Sequence, residues 1–152
     1  MRCHLIAVGR AKPGPARDLF QLYAGRLVPT LSLTEVEEKR PLPPAQLKAR
    51  EAELLLAQIP KGATVLLLDE TGKVFGSADF AQRLGSWRDQ GIADLVFLIG
   101  GADGHGDAAR ARADLTLSLG AMTWPHMLVR ALIAEQLYRA QQILAGHPYH
   151  RE

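Results

Sequence analysis

Apolar residues along this chain fall into short unbroken runs, separated by longer stretches in which they recur every three or four positions. Residues 3–8 form an apolar run closed by Gly9, which predicts a strand. Leu19, Leu22, Tyr23 and Leu27 recur at helical spacing, predicting a helix over about 15–28 that Pro29 closes. Leu31, Leu33 and Val36 predict a second strand. Pro41, Pro43 and Pro44 mark a loop before a helix over 45–58, with Leu47, Leu54, Leu55 and Ile59 inward and Lys48, Arg50, Glu51 and Glu53 outward. Residues 64–68 are uninterruptedly apolar, the type of strand buried on both faces of a parallel sheet. Residues 69–76 read as its outgoing loop, and Ser77 as the N-cap of a helix carrying Phe80, Leu84 and Trp87. Residues 94–99 predict another buried strand, 107–112 a short helix, and the alternation of Leu115, Leu117 and Leu119 a last strand. From about Pro125 a long helix runs to Ala145, with Leu128, Leu132, Ile133, Leu137, Ala140 and Leu144 on one face, Gly146 as C-cap and Pro148 as stop.

Strands alternating with helices predict an α/β fold: a mostly parallel sheet with helices on both faces, in one domain spanning 1–152. Composition leaves that picture unchanged. The chain is 47% hydrophobic and 22% charged, as ordinary globular proteins are. A net charge of +2 permits nucleic-acid binding without arguing for it. The single cysteine, Cys3, excludes an intrachain disulfide and sits in an apolar run, so it reads as a small buried hydrophobe rather than a nucleophile. No Cys/His spacing resembles a zinc site, so no metal is expected. No apolar run approaches the roughly 18 residues of a membrane span, and no signal-type leader opens the chain, which predicts a cytoplasmic protein with no membrane partner.

Candidate chemistry lies in the last third. Buried strands end at Leu68-Asp69, at Gly100-Gly101 and at Leu119-Gly120. Side by side, these ends make one crevice at the carboxyl edge of the sheet. Glycine lets a ligand approach the backbone, and Gly120-Ala121-Met122-Thr123 offers main-chain N–H groups suited to a planar ligand such as adenine. No G-x-G-x-x-G follows the first strand, and neither G-x-x-x-x-G-K-[ST] nor G-x-S-x-G is present, which removes the main support for dinucleotide, P-loop and α/β-hydrolase readings. His126, at the start of the last helix, reads as a capping or packing residue, with a role in the crevice left open by its position. Arg130 is placed to meet a phosphate, whereas Arg139 reads as part of a solvated face. Asp69 and Glu70 serve equally as loop solvation or ligand contacts. The terminal His147, Tyr149, His150 and Arg151 are either a frayed tail or an RNA-binding element, since Tyr and His stack on unpaired bases and Arg pairs with phosphate.

Several segments together resemble the RlmH family, the SPOUT-class methyltransferases that make N3-methylpseudouridine in 23S rRNA. They are Leu67-Leu-Asp69, Leu98-Ile-Gly-Gly101 with Gly104, Leu117-Ser-Leu119, Met122-Thr123, Pro125-His126, Leu128-Val-Arg130, Glu135-Gln-Leu-Tyr-Arg139 and, most specific, His147-Pro-Tyr-His-Arg-Glu152. The likeness spans the whole chain. It departs where relatives often carry Pro-Glu in place of Ala102-Asp103 and Ser in place of Gly120. The resemblance implies a trefoil-knotted fold and S-adenosylmethionine as donor, held by Leu68, Gly100, Gly101 and the loop Gly120, Ala121, Met122, Thr123, Trp124 and Pro125. It also implies a homodimer, and as substrate a pseudouridine in helix 69 of 23S rRNA within the assembled 70S ribosome. Methyl transfer to N3 needs its proton removed, so His150 or Tyr149, with His126 as a second candidate, is expected to handle the proton while Arg151 steadies the anionic ring. Arg130, His147, Tyr149 and Arg151 are the expected RNA contacts. Rival readings are a SPOUT enzyme with another target, such as a tRNA ribose, a non-catalytic ribosome-binding factor, and a flavodoxin-like nucleotide module.

Overall fold

The apolar runs become strands because both of their faces are covered. A computed structural model describes residues 1–151; Glu152, the last residue of the terminal motif, lies outside them. The elements run β1 (Arg2–Val8), α1 (Pro15–Arg26), β2 (Ser32–Val36), α2 (Pro44–Leu56), β3 (Thr64–Val74), α3 (Ser77–Asp89), β4 (Asp94–Ile99), α4 (Asp107–Arg112), β5 (Leu115–Ser118) and α5 (His126–Leu144). The five strands form one sheet in the order β2-β1-β4-β3-β5, and every pairing is parallel. Along each central strand, successive side chains point to opposite faces. Leu5, Leu66, Leu95 and Phe97 therefore join a core with Phe20 of α1, Phe80 of α3 and Ile133 and Leu137 of α5. Ile6, Val65, Leu67, Val96 and Leu98 join a second core with Ala52 and Leu55 of α2 and Ala109 of α4. This is the expected α/β sheet with helices on both faces.

Local structure departs from the sequence pattern at three places. β3 does not stop at Leu68. Both Leu68 and Lys73 lie opposite Leu117 of β5, so residues 69–72 bulge over the carboxyl edge before pairing resumes at Lys73 and Val74. Gly72 permits this: a Cβ there would stand 2.7 Å from the Thr116 backbone. Ser77 is the first residue of α3 rather than its N-cap, which is Gly76; the Ser77 hydroxyl instead donates to Gln136 Oε1 at 2.7 Å, tying α3 to α5. Glu51 of α2, expected outward, is buried, because the loop after β4 packs down on α2 so closely that a Cβ on Gly106 would meet Lys48 O at 2.7 Å.

α5 ends as its sequence predicts. Gly146 has φ of +73°, its N–H reaches Ile143 O at 3.1 Å, and the His147 N–H reaches Gln142 O at 2.9 Å, a Schellman closure. The chain after it is thereby turned back toward the helix it has just left.

Candidate active site

The sheet order puts the carboxyl ends of β4, β3 and β5 next to one another, so their loops enclose one crevice of about 240 Å³. Leu68, Gly100, Gly101, Gly120, Met122, Thr123, Trp124 and His126 all stand on its wall. Ala121 and Pro125 belong to the same loop but are exposed and off the wall. A Cβ on Gly101 would lie 2.8 Å from both carboxyl oxygens of Glu51, whose side chain would have to move. Gly120 has φ of +114°, a conformation that disfavours any side chain. Ser118 at the end of β5 organises that turn: its Oγ accepts the Gly120 N–H at 3.1 Å and lies 3.1 Å and 3.0 Å from the carbonyls of Glu70 and Gly120. The wall opposite a ligand is therefore main chain and small apolar groups, edged by Asp69 and Glu70.

One wall residue carries no motif signal in the sequence. His105 is 4% exposed on the crevice wall, and its Nε2 lies 3.1 Å from the Leu68 carbonyl. A carbonyl only accepts, so Nε2 carries the proton and Nδ1 is left as a buried acceptor without a partner. Burial, opposed by that hydrogen bond, pushes the imidazole down to about 4, so it is neutral in the working range. It ties the end of β3 to the glycine loop after β4. Behind that loop, burial and the neighbouring Asp103 raise the Glu51 carboxyl above its ordinary value. At the rim, Asp69 is held below the usual carboxylate range. Burial pushes it up, but hydrogen bonds from Thr71 and Arg110 outweigh that push.

A second cavity of about 570 Å³ shares Leu117, Leu119, Gly120 and Trp124 with the first, and Tyr23, Glu135, Arg139 and Tyr149 close its far side. The terminal segment is docked rather than frayed. The Tyr149 hydroxyl donates to Glu135 Oε1 at 3.0 Å, and its ring meets Tyr138 edge-on at 4.8 Å between centroids. Arg139 donates to the same Glu135 oxygen at 3.0 Å and 2.6 Å, lies 5.0 Å from the Tyr149 ring centre, and donates to His150 Nδ1 at 3.0 Å. Arg139 is thus a clamp, not part of a solvated face. Burial, the Tyr23 hydroxyl and Glu135 push the Tyr149 phenol upward, so it keeps its proton. His147 accepts the Tyr149 N–H at Nδ1, and Arg151 is exposed.

Arg130 is not where the sequence reading put it. It is 2% exposed and donates to Glu35 Oε2 at 2.6 Å and to the Gly9 carbonyl at 3.0 Å, so it holds α5 to the β1 and β2 ends and presents nothing to a phosphate. Its position one turn into α5 made it look close to the crevice loop, but the helix turns its side chain to the opposite flank.

A parallel sheet whose carboxyl edge carries a glycine-walled, main-chain-lined crevice beside a second cavity is an α/β fold with its ligand site at the usual sheet edge. The chain belongs to the SPOUT methyltransferases: residues 1–150 match the family described as "Predicted SPOUT methyltransferase". It is 68% identical over 151 residues to the ribosomal RNA large subunit methyltransferase H of Paramagnetospirillum magneticum, with 99% of each chain covered. The proteins of the same name from Rhodospirillum centenum and Rhodospirillum rubrum are each 61% identical over 151 residues, again covering 99% of both chains. Among solved structures it is similar, at 15% identity and a TM-score of 0.49, to the SpoU methyltransferase AviRb of Streptomyces viridochromogenes in complex with AdoMet, covering 92% of this chain and 57% of that one.

Proposed function

We propose that this chain, acting as one domain in the cytoplasm, methylates N3 of a pseudouridine in helix 69 of 23S rRNA within the assembled ribosome, using S-adenosylmethionine as donor. The observation that carries the reading is the shared wall: the glycine-lined crevice and the cavity closed by the docked tail meet across Leu117, Leu119, Gly120 and Trp124. Relatives that match end to end, the first of them at 68% identity, bear the name of a large-subunit ribosomal RNA methyltransferase, which supports the substrate.

The residues present suit the donor. Gly101 and Gly120 leave main chain uncovered where any Cβ would clash or strain, and Leu68, Ile99, Leu117 and Leu119 give an apolar seat for an adenine face. The donor supplies an electrophilic methyl on a sulfonium. The chain's own part is to bind, orient and handle one proton. Because Tyr149 is held protonated and His150 Nδ1 is already occupied by Arg139, His126 is the candidate base that stands on the crevice wall itself. Arg151, which is exposed, pairs in this reading with the anionic ring or its phosphate. Alignment of donor and base across the shared wall supplies much of the rate.

The reading includes a homodimer and the family's knotted threading. Leu19 and Leu22 of α1, 39% and 47% exposed, are the apolar side chains that a partner subunit would cover in this reading. The test is transfer of labelled methyl from S-adenosylmethionine to 70S ribosomes from a strain lacking the modification, with the nucleoside identified by mass spectrometry. N3-methylpseudouridine in 23S rRNA is the expected product. A chain ending at Pro148 is expected to bind donor and transfer nothing; normal turnover by that truncation sinks the role given to the tail.

A further inference from the structure

We propose that the resumed end of β3 and the outer face of α3 form a docking strip for the RNA strand that flanks the target nucleotide, with Lys73 and Arg83 as its phosphate contacts and Phe75 and Trp87 as its stacking faces. The inference deepens the ribosomal RNA reading above and rests on it. Gly72 starts the construction: by letting β3 press onto the Thr116 backbone, it fixes residues 73–75 at the rim of the second cavity, whose wall includes Val74 and Phe75. Lys73 Nζ then stands 4.8 Å from the centre of the Phe75 ring, and the Arg83 guanidinium lies 6.0 Å from that ring and 5.7 Å from Trp87. Each ring thus has a cation within 6.0 Å of its centre.

Three features separate this strip from ordinary surface. First, its cations lie against rings rather than carboxylates. Among the described residues neither Lys73 nor Arg83 is paired with a carboxylate, whereas Arg139, on the wall of the second cavity, is tied to Glu135. Glu70, an acidic residue of the bulge, meets Thr123, whose hydroxyl donates to its Oε2 at 3.4 Å. Second, Lys73 and Arg83 are exposed, and Val74, next to Lys73 in the chain, is 67% exposed, while Phe75 and Trp87 are anchored on the core and so held in place without being fully covered. Third, the strip leads into the cavity that shares a wall with the donor crevice. A cation next to a rigid aromatic face is the composition that tracks a single strand, with phosphate on the cation and base on the ring. An acidic peptide would use the cations but not the rings, and an apolar partner the rings but not the cations.

The test compares the full-length protein with the double variant Lys73→Gln/Arg83→Gln and the conservative Lys73→Arg/Arg83→Lys, using ribosomes that lack the modification. For the glutamine pair, KM for ribosomes is expected to rise about tenfold, and the slope of log affinity on log salt to fall by about 1.4, the loss of two single-strand phosphate contacts. The turnover number at saturating ribosomes and the affinity for S-adenosylmethionine, measured by calorimetry, are expected to stay within about twofold of wild type. The arginine/lysine exchange is expected to recover most of both losses. An unchanged KM and salt slope overturns the proposal. So does a rise in KM that arrives with a change of oligomeric state by sedimentation, which assigns the strip to a second copy of the chain. A wild-type protein that methylates no ribosomal RNA is a different result: it removes the substrate reading and this inference with it.

Discussion

At the scale of single residues, the polar groups that matter most are those whose partners lie far away in the chain. Arg130 meets Glu35 and Arg139 meets a tail residue, His150, and nothing in the spacing of either pair announces it. The glycine wall was legible because glycine at a strand end is a local signal; His105 was not, because a histidine between two glycines says nothing about the carbonyl of Leu68. Its burial gives a measurable consequence. The native imidazole titrates at about 4 and the unfolded one at 6.5, so as pH falls through that interval the unfolded chain gains a proton that the native chain refuses. Stability is therefore highest above 6.5 from this group and declines by about 3 kcal/mol on reaching 4, at roughly 1.4 kcal/mol per pH unit. Glu51, with a raised carboxyl, acts in the opposite sense above 4.5, and Glu35, held low overall despite its burial by Arg130 and the Ala11 N–H, adds stability that is lost only below 4.5. The His105 contribution is accordingly read as a difference: urea unfolding of His105→Leu across this range is expected to lack that part of the slope, and a profile parallel to wild type counts against it.

At the scale of elements, every strand and helix appeared near the position that its periodicity predicts. The misses share one cause: they are segments whose state is set by a neighbour rather than by their own pattern. Residues 69–73 lack an apolar side chain and carry a Thr-Gly pair, the marks of a loop, yet β5 recruits Lys73 and Val74 as strand across a bulge. The docked tail was invisible for the same reason, since its partners are Glu135, Tyr138 and Arg139 on α5. Because Gly72 makes the bulge possible, Gly72→Ala forces a Cβ against the Thr116 backbone and is expected to cost about 1–3 kcal/mol, lowering Tm by roughly 2–4 °C for each kcal/mol. Donor affinity is expected to fall as well, because the residues displaced include Asp69 and Glu70 on the crevice rim. A variant that melts and binds like wild type shows that the strand end is not held by this contact.

At the scale of the whole molecule, fold class and sheet character followed from the alternation of runs and periods, and the strand order did not. Nothing local tells β4 to pair between β1 and β3, and that order is what brings the three ligand loops together. Family likeness closed the gap that pattern left open. If the α1 strip is the dimer face, Leu22→Glu places a charge in it and is expected to give a folded monomer by sedimentation velocity, with methyl transfer lost while the circular dichroism spectrum is kept. A dimer that survives the substitution moves the interface elsewhere.

The strand order also sets a timetable for synthesis. β1 is made first, yet Arg2 pairs opposite Asp94, and the apolar side of α1 is closed only by α5 near the end of the chain. At about 5–20 residues added per second, the first helix waits several seconds for the element that covers it. Until then Phe20 and Ala24 have no lid. A message cut short before α5 should therefore yield a product with an open core, fit for a chaperone or a protease and for little else.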